Sequence, residues 1–342
     1  MPIQRLPDTV QTLYAELLDQ TFQAEAERLA RGLPPGTFVS KEIKGRRYWY
    51  LQTSTGSEKT QRYLGPETPA LRDWMARTAA ARTELAADEA ARARLVAMLI
   101  QGGAARVLPS QTRVLTLLAD LGVFVRGGAL VGTQAFAAYG NLLGVRFDHQ
   151  NLATQDVNVA QDLAIAFALG QEPPARVAQA LTDPAMGFLP VPALDHRLPS
   201  TSFNVRGREI RVDFLAPARR RGDTVPVGVP GLGVFAQPLP FLDYLLEETV
   251  PAALLAGAGI AVRLPTPARF ALHKVWLSRQ RPASEQARAR KDLRQALALL
   301  EVLQADRPGD LLLAWDGLAR RKSARRVIEA ALEREAPQFL PR

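Results

Sequence analysis

A strand-turn-helix segment in the middle of the chain, GGALVGTQAFAAYGNLLGV, constrains the fold more than any other feature. The apolar run at 129–131 predicts a buried strand that leads through Gly132 and Thr133 into a helix ending near Leu143. The free N–H groups and positive dipole end of that helix then lie where the strand ends. Anions bind at such helix ends, so the segment predicts a phosphate site. The alternative is an ordinary strand-to-helix turn with a threonine cap.

Three oxygen-bearing side chains follow on two later strands. Asp156 and Asn158 lie two residues apart in a segment at 154–160 that alternates like a strand, so both face the same side of a sheet. Asp213 lies in RVDFL, where the flanking valine and phenylalanine are expected to face the core. Such oxygen ligands beside a helix N-terminus predict a site for hard cations that hold a triphosphate.

The order of these motifs resembles the nucleotidyltransferase fold of the polymerase-β superfamily. There, a Gly-[Gly/Ser] turn at a helix start is followed by Asp-x-Asp on the next strand and by a third Asp on a later one. More narrowly, LVGTQAFAAYGNLLGVRF and TQDVNVA are similar to segments of a bacterial family of nucleotidyltransferase-fold proteins. Members of that family also carry a segment like KGRRYWY…QRYLGPETP, and the likeness extends over roughly residues 38–300.

The resemblance implies an α+β fold. A polymerase-β-like nucleotidyltransferase core, a mixed sheet flanked by helices, would follow an N-terminal arm of helix and β-hairpin and precede a helical C-terminal unit. Gly132 and Thr133 would hold the triphosphate, and Asp156, Asn158 and Asp213 would occupy the catalytic and metal-binding positions. The implied cofactor is Mg²⁺ or Mn²⁺, two ions of which activate the attacking hydroxyl and stabilise the pyrophosphate that leaves.

Position 158 departs from the family pattern, which has Asp where this chain has Asn158. An amide oxygen can coordinate a cation but brings no negative charge, and hard divalent ions are held mainly by charge. We therefore expect weakened metal binding and low or absent turnover. Two explanations compete, an engineered substitution that inactivates the enzyme and a natural loss of activity. The intact remainder of the motif favours the first.

The chain is basic, with 43 Lys and Arg against 34 Asp and Glu and a formal charge of +9. Only six of the basic residues are lysines, and the guanidinium group of arginine suits phosphate. Basic and aromatic residues alternate at 37–64, which predicts a small sheet that binds single-stranded nucleic acid through charge and stacking. The predicted contacts are Lys44, Arg46, Arg47, Tyr48, Trp49 and Arg62. Alternatively, the aromatic side chains pack against the long helix predicted at 68–100. Both interpretations hold if only one face is buried.

Two lysines in the C-terminal part are further candidates for nucleotide contacts. Lys274 lies on a helix whose neighbouring residues are apolar, so packing is the simpler interpretation and contact with a substrate phosphate the alternative. Lys291 begins the basic segment ARKDLRQ. It lies either on a solvated helix face, with Asp292 paired to a neighbouring arginine, or against nucleotide phosphates.

The length of 342 residues favours two or three domains. The texture of the sequence divides the chain at 1–105 (helix, small basic-aromatic sheet and long helix), 106–238 (nucleotidyltransferase core) and 239–342 (mainly helical). We expect a cytoplasmic protein with no membrane partner, since no apolar run is long enough to span a bilayer.

Several classes of site are excluded. The chain has no cysteine, so it has no disulfide, no thiolate metal site and no cysteine nucleophile. The glycine-rich turn is not a P-loop, because Thr133 and Gln134 stand where Lys and Ser or Thr are required. The three histidines are too scattered for a zinc motif.

The leading hypothesis is a metal-dependent nucleotidyltransferase that moves a nucleoside monophosphate from an NTP such as ATP to a hydroxyl group. RNA, including tRNA, is a candidate acceptor. Because the resembled fold also occurs in antibiotic-modifying enzymes and toxin components, a protein or a small molecule is an alternative acceptor. A protein from a defence or toxin–antitoxin module is a candidate partner. The alternative hypothesis is a non-catalytic nucleic-acid-binding protein built on a degenerate nucleotidyltransferase fold.

Overall fold

The N-terminal part combines two long helices with a small antiparallel sheet. The computed structural model describes residues 4–30, 37–55, 58–147, 156–162, 176–184, 186–193, 195–220 and 222–341. Within the first of these ranges and the two that follow, the elements are β1 (Gln4–Arg5), α1 (Asp8–Ala30), β2 (Thr37–Ile43), β3 (Arg46–Thr55), β4 (Glu58–Pro66) and α2 (Pro69–Gln101). Strands β2, β3 and β4 pair in that order, so the predicted hairpin arm is a three-stranded sheet.

A mixed α/β region occupies the middle of the chain. Its elements are α3 (Pro109–Asp120), β5 (Gly128–Val131), α4 (Gly132–Leu142), β6 (Val145–Arg146), β7 (Val157–Gln161), α5 (Val177–Thr182), β8 (Phe188–Pro190), β9 (Ser202–Val205), β10 (Arg211–Pro217), β11 (Val227–Val229) and β12 (Val234–Leu239).

Helices predominate after that region, with one hairpin between them. The elements are α6 (Leu242–Leu246), β13 (Thr249–Leu254), β14 (Ile260–Pro265), α7 (Pro267–Gln280), α8 (Gln286–Asp306), α9 (Pro308–Asp316) and α10 (Lys322–Glu335). In the part of the chain that the structure describes, no helix is both long and apolar enough to cross a membrane.

The large sheet brings the three predicted motifs side by side. Its main path runs β11-β12-β10-β7-β5, and β9, itself paired with β8, adds to the first half of β10. Strand β10 runs parallel to both β7 and β12, whereas β5 runs antiparallel to β7. In this register Asn158 lies opposite Asp213 on one side and opposite Val131 on the other. Gly132 follows directly after Val131, so the turn begins at the end of β5, next to Asn158 on β7.

The sheet alternates between core and open faces as the sequence predicts. Val157, Val159, Val212 and Phe214 are buried, whereas Asn158 and Asp213 are only partly covered. One continuous hydrophobic core joins this sheet to α4 and to the C-terminal helices. A second, smaller core packs α1 and the end of α2 against the β13–β14 hairpin.

Candidate active site

A cavity of about 620 Å³ lies between the motif-bearing strands and helices α7 and α8. All the residues that the sequence predicts for nucleotide and metal binding line it, namely Gly132, Thr133, Asp156, Asn158, Asp213, Lys274 and Lys291. Residues from separate parts of the sequence thus converge on one space. That convergence supports a single site rather than separate features.

The turn at Gly132 approaches Asn158 so closely that only glycine fits. Its φ is +73°, in the left-handed region that favours glycine, and a Cβ atom there would lie 2.7 Å from Asn158 Nδ2. Helix α4 begins at this residue, and Thr133 beside it is buried against the cavity. The N-cap residue of α4 is Val131, whose side chain makes no capping hydrogen bond, so the predicted alternative of a threonine cap is not what begins this helix.

Asp213 is held by two residues that sequence reasoning did not single out. Its Oδ1 accepts hydrogen bonds from Ser202 Oγ, directly opposite on β9, and from Arg211 Nε at 2.7 Å. Arg211 Nη2 also donates to Ser202 Oγ at 2.8 Å. The period of two along β10 places Arg211 and Asp213 on the same face, which is the one signal in the sequence for this contact.

A buried ion pair joins the two helices on the opposite wall. Lys274 Nζ on α7 lies 2.5 Å from Asp292 Oδ1 on α8, and both side chains are more than nine-tenths buried. Arg281 Nε completes the cluster at 3.1 Å from Asp292 Oδ2. Lys274 is therefore packed and paired, as the simpler interpretation expected, while still lining the cavity. Asp292 is buried and paired with Lys274 and with Arg281, eleven residues before it, so it does not lie on the solvated face with a neighbouring arginine that one interpretation of this segment expected.

Lys291 lies at the mouth of this cluster and is half-buried. Burial lowers the pKa of its ammonium group, with Lys274 the next largest cause, whereas nearby Asp156 raises that pKa. The electrostatic interaction with Asp156 links α8 to the acidic residues of the sheet. Lys291 is therefore within reach of the same ligand that the sheet residues would contact.

The cavity carries more positive than negative charge. Its lining includes five basic side chains, Arg211, Lys274, Arg281, Arg288 and Lys291, against three acidic ones, Asp156, Asp213 and Asp292. The basic side chains outnumber the acidic ones even when Asp292, which is paired with Lys274 and Arg281, is counted. Together with the N-terminus of α4, this surplus favours a ligand that carries several negative charges.

His273 contributes packing rather than charge to the wall of the cavity. Its ring stacks on Phe241 at 5.6 Å between centroids and lies 6.0 Å from the ring of Trp276. Burial, followed by the neighbouring Lys274, lowers the pKa of His273 to about 3. The imidazole is therefore neutral at pH 7.

The acidic residues fit one divalent cation better than two. Among the described residues, no group of three or more His, Asp or Glu side chains is placed to hold a metal ion. Asp156 and Asp213 supply two carboxylates to the cavity, and Asn158, opposite Asp213 in the sheet, adds an amide group. Proteins bind Mg²⁺ through one or two carboxylates together with substrate phosphates, so this set suits one ion that arrives with a triphosphate.

The predicted nucleic-acid contacts lie elsewhere, on β2–β4 and their turn, and none of them lines the cavity. Arg47 Nη1 and Trp49 Nε1 donate hydrogen bonds to Glu67 at 3.5 and 3.2 Å. Lys44, Arg46 and Tyr48 are at least partly exposed. The side chain of Arg62 lies outside the described part of the chain.

The part of the chain that forms the cavity matches a known protein family. Residues 110–319 match the sequence model of a protein family described as Nucleotidyltransferase, a range that covers more than half of the chain. The range begins in α3 and extends beyond α9, so it includes the large sheet and both helices of the cavity wall. Neither a curated protein nor a solved structure matches the chain. The chain belongs to this nucleotidyltransferase family.

Proposed function

We propose that the protein is a metal-dependent nucleotidyltransferase with a polymerase-β-like core, which transfers a nucleoside monophosphate from an NTP to a hydroxyl group. The observation that carries this proposal is the convergence of the Gly132 turn, the acidic strand residues and two helical lysines on one positively charged cavity. Membership of the family supports nucleotidyl transfer in general. The lining of the cavity supports the proposed roles of individual residues.

The triphosphate would lie between the N-terminus of α4 and the basic wall of α8. Backbone N–H groups at Gly132 and Thr133 offer donors to phosphate oxygens, and the helix dipole favours their negative charge. Lys291 and Arg288 approach from α8, and charged hydrogen bonds of this kind are the stronger ones in proteins. Lys274 would act mainly by adding positive potential, because its ammonium group is already paired with Asp292.

Asp156, Asp213 and the amide oxygen of Asn158 would hold a Mg²⁺ or Mn²⁺ ion together with the substrate phosphates. When bound, the ion supplies charge stabilisation to the phosphoryl group under attack. In the transfer, the acceptor oxygen bonds to the α-phosphorus as the bond to pyrophosphate breaks. The proton released from the hydroxyl needs an acceptor, and Asp156 and Asp213 are the two cavity carboxylates that are not part of the buried pair of Lys274 and Asp292.

Two features would keep turnover low in this chain. Asn158 removes one negative charge from the cation site, and Arg211 places a positive charge 2.7 Å from one of the two carboxylates that remain. Both reduce the attraction for a divalent cation. The same pair of features favours a second candidate function, a nucleotide- and nucleic-acid-binding protein without catalysis.

Nucleotide binding by the protein as it stands tests the assignment of the cavity. We expect radiolabelled NTPs to bind in equilibrium dialysis, and Lys291→Ala to weaken binding by about tenfold, the equivalent of about 1.4 kcal/mol for one charged hydrogen bond. Lys322→Ala, an exposed lysine on α10 away from the cavity, is the matched control and leaves binding unchanged. Absence of binding, or equal effects of the two variants, would overturn the assignment.

A further inference from the structure

We infer that the exposed face of the N-terminal sheet binds single-stranded nucleic acid through three tyrosines. This tyrosine face consists of Lys41, Arg46, Tyr48, Tyr50 and Tyr63, and it lies outside the matched family range. If the protein transfers nucleotides as proposed, this face would present a single-stranded acceptor, and that role rests on the proposed function. The binding of single strands does not depend on the proposed function.

The register of β2–β4 separates two chemically different faces. Tyr48 pairs with Lys41, and Tyr50 pairs with Tyr63, so these side chains share one side of the sheet. The other side packs on α2, where the rings of Phe38 and Trp74 meet at 5.2 Å. Because that side already serves as the small core of the arm, the tyrosines are not needed to anchor the sheet.

The three tyrosine rings form a contiguous cluster on the open side. Ring centroids of Tyr50 and Tyr63 are 5.4 Å apart, and those of Tyr48 and Tyr63 are 6.3 Å apart. Tyr63 is 54% exposed although it is a large hydrophobic residue. Tyr48 and Tyr50 are partly exposed beside it, and adjacent accessible rings offer stacking surfaces to successive unpaired bases, because every base has a π-face.

The charges on the same face favour a polyanion. Lys41 Nζ lies 4.9 Å from the centroid of the Tyr50 ring, and Arg46 is exposed beside it. No carboxylate lies on this face among the sheet residues whose side chains the structure describes. Glu42 belongs to the opposite face, and Glu67 is bonded to Arg47, Trp49 and Arg72. A phosphate backbone would therefore meet cations without repulsion, whereas a proline-rich peptide, which also stacks on aromatic rings, would gain nothing from them.

Fluorescence anisotropy with labelled 12-nucleotide RNA and DNA strands, without NTP or divalent ions, tests this face. We expect single strands to bind more tightly than the matched duplex. Tyr63→Ala is expected to weaken binding by about 5- to 100-fold, the effect of losing one base stack, and Tyr63→Phe to retain it. Phe235→Ala, which removes another exposed aromatic ring on β12, is the matched control and leaves affinity unchanged. Thermal unfolding of each variant confirms that the fold is retained.

Salt dependence provides a second readout that a structural role would not change. Lys41→Ala is expected to reduce the slope of log affinity against log salt by about 0.7, the value for one phosphate contact on a single strand. Arg326→Ala, exposed on α10, leaves that slope unchanged. The inference is overturned if no strand binds, if the duplex or a proline-rich peptide binds better, or if Tyr63→Ala and Phe235→Ala behave alike. These nucleic-acid measurements contain no NTP, so a failure of the protein to bind NTP would not change their results.

Discussion

Asn158 is the position in the cavity where an amide stands in place of a carboxylate, and under the proposed function that difference affects cation binding. Asn158 Nδ2 lies against Gly132, and the residue is opposite Asp213 in the sheet, so its side chain is close to both the Gly132 turn and strand β10. An amide offers an N–H donor and no charge, whereas an aspartate would add a third carboxylate to Asp156 and Asp213. Three carboxylates repel one another unless a cation is bound. Under the proposed function, an aspartate at position 158 would therefore raise both the repulsion between carboxylates and the affinity of the cavity for a cation.

The protonation of His273 is coupled to the stability of the fold. The unfolded chain binds a proton at His273 below pH 6.5, whereas the folded chain does so only near pH 3, because the ring is buried. Below pH 6.5 the unfolded state therefore binds more protons, and the free energy of unfolding falls with decreasing pH. The contribution of His273 to this loss is expected to be about 2 kcal/mol at pH 5.

Urea unfolding from pH 7.5 to pH 5 measures this contribution. His273→Phe preserves the stacking with Phe241 and removes the titrating group, so its unfolding free energy is expected to fall less at pH 5 than that of the parent. His196→Gln, at an exposed position, serves as the control and keeps the parent's pH dependence. A pH dependence of His273→Phe identical to that of the parent would show that the folded histidine is protonated normally.

At the scale of elements, the cavity depends on the alignment of α7 and α8 with the sheet. The ion pair of Lys274 and Asp292, with Arg281 beside it, connects the two helices within the wall of the cavity. A buried pair contributes little net stability over apolar residues, but the loss of one partner leaves a buried charge unpaired. The cluster therefore fixes the position of Lys291 one residue before Asp292.

Asp292→Asn is expected to lower the free energy of unfolding by about 3–5 kcal/mol, because Lys274 then remains buried without its carboxylate. The double variant Lys274→Met/Asp292→Leu is expected to recover most of that loss. Guanidinium unfolding measures both. Asp310→Asn, which affects the exposed pair with Arg307 on α9, is the control and changes stability little. A loss for Asp292→Asn as small as that for Asp310→Asn would contradict the role of the cluster.

Local patterns explain which elements could be predicted from sequence. The strand-turn-helix at Gly132 and the alternating strand β7 are defined by residues close in sequence, and both form as expected. Strands that contain proline are harder to recognise in a sequence. Pro251 of β13 is tolerated because that strand pairs with β14 alone, and Pro238 of β12 lies beyond the residues of β12 that pair with β11.

The contacts within the site that could not be predicted from the sequence depend on tertiary structure. The contact of Arg211 and Ser202 with Asp213 depends on the pairing of β9 with β10, and no local pattern specifies that pairing. Likewise, the sequence indicated Lys274 and Asp292 as separate features, whereas their ion pair requires α7 and α8 to pack together. Residue types could be chosen from the sequence, but their partners are set by tertiary structure.

At the scale of the whole molecule, two separate basic regions can be distinguished among the described residues. One is the cavity, where five basic side chains surround the acidic strand residues. The other is the tyrosine face on β2–β4, which the matched family range does not include. Such a division suits an enzyme that holds a nucleotide in one place and a polymeric acceptor in another. It also suits a binding protein without catalysis, so the chemistry of the cavity must be measured directly.

An assay of the transfer of labelled nucleoside monophosphate distinguishes most directly between an enzyme and a binding protein without catalysis. The assay compares the protein with Asn158→Asp, using each α-labelled NTP, Mg²⁺ or Mn²⁺, and RNA, protein or small hydroxyl compounds as acceptors. A third carboxylate should raise metal affinity, so we expect Asn158→Asp to increase incorporation and pyrophosphate release by at least about 10- to 100-fold. Adding Asp156→Asn to that variant should abolish the gain. If Asn158→Asp binds NTP but neither transfers nor releases pyrophosphate with any acceptor, the cavity is not a nucleotidyl-transfer site.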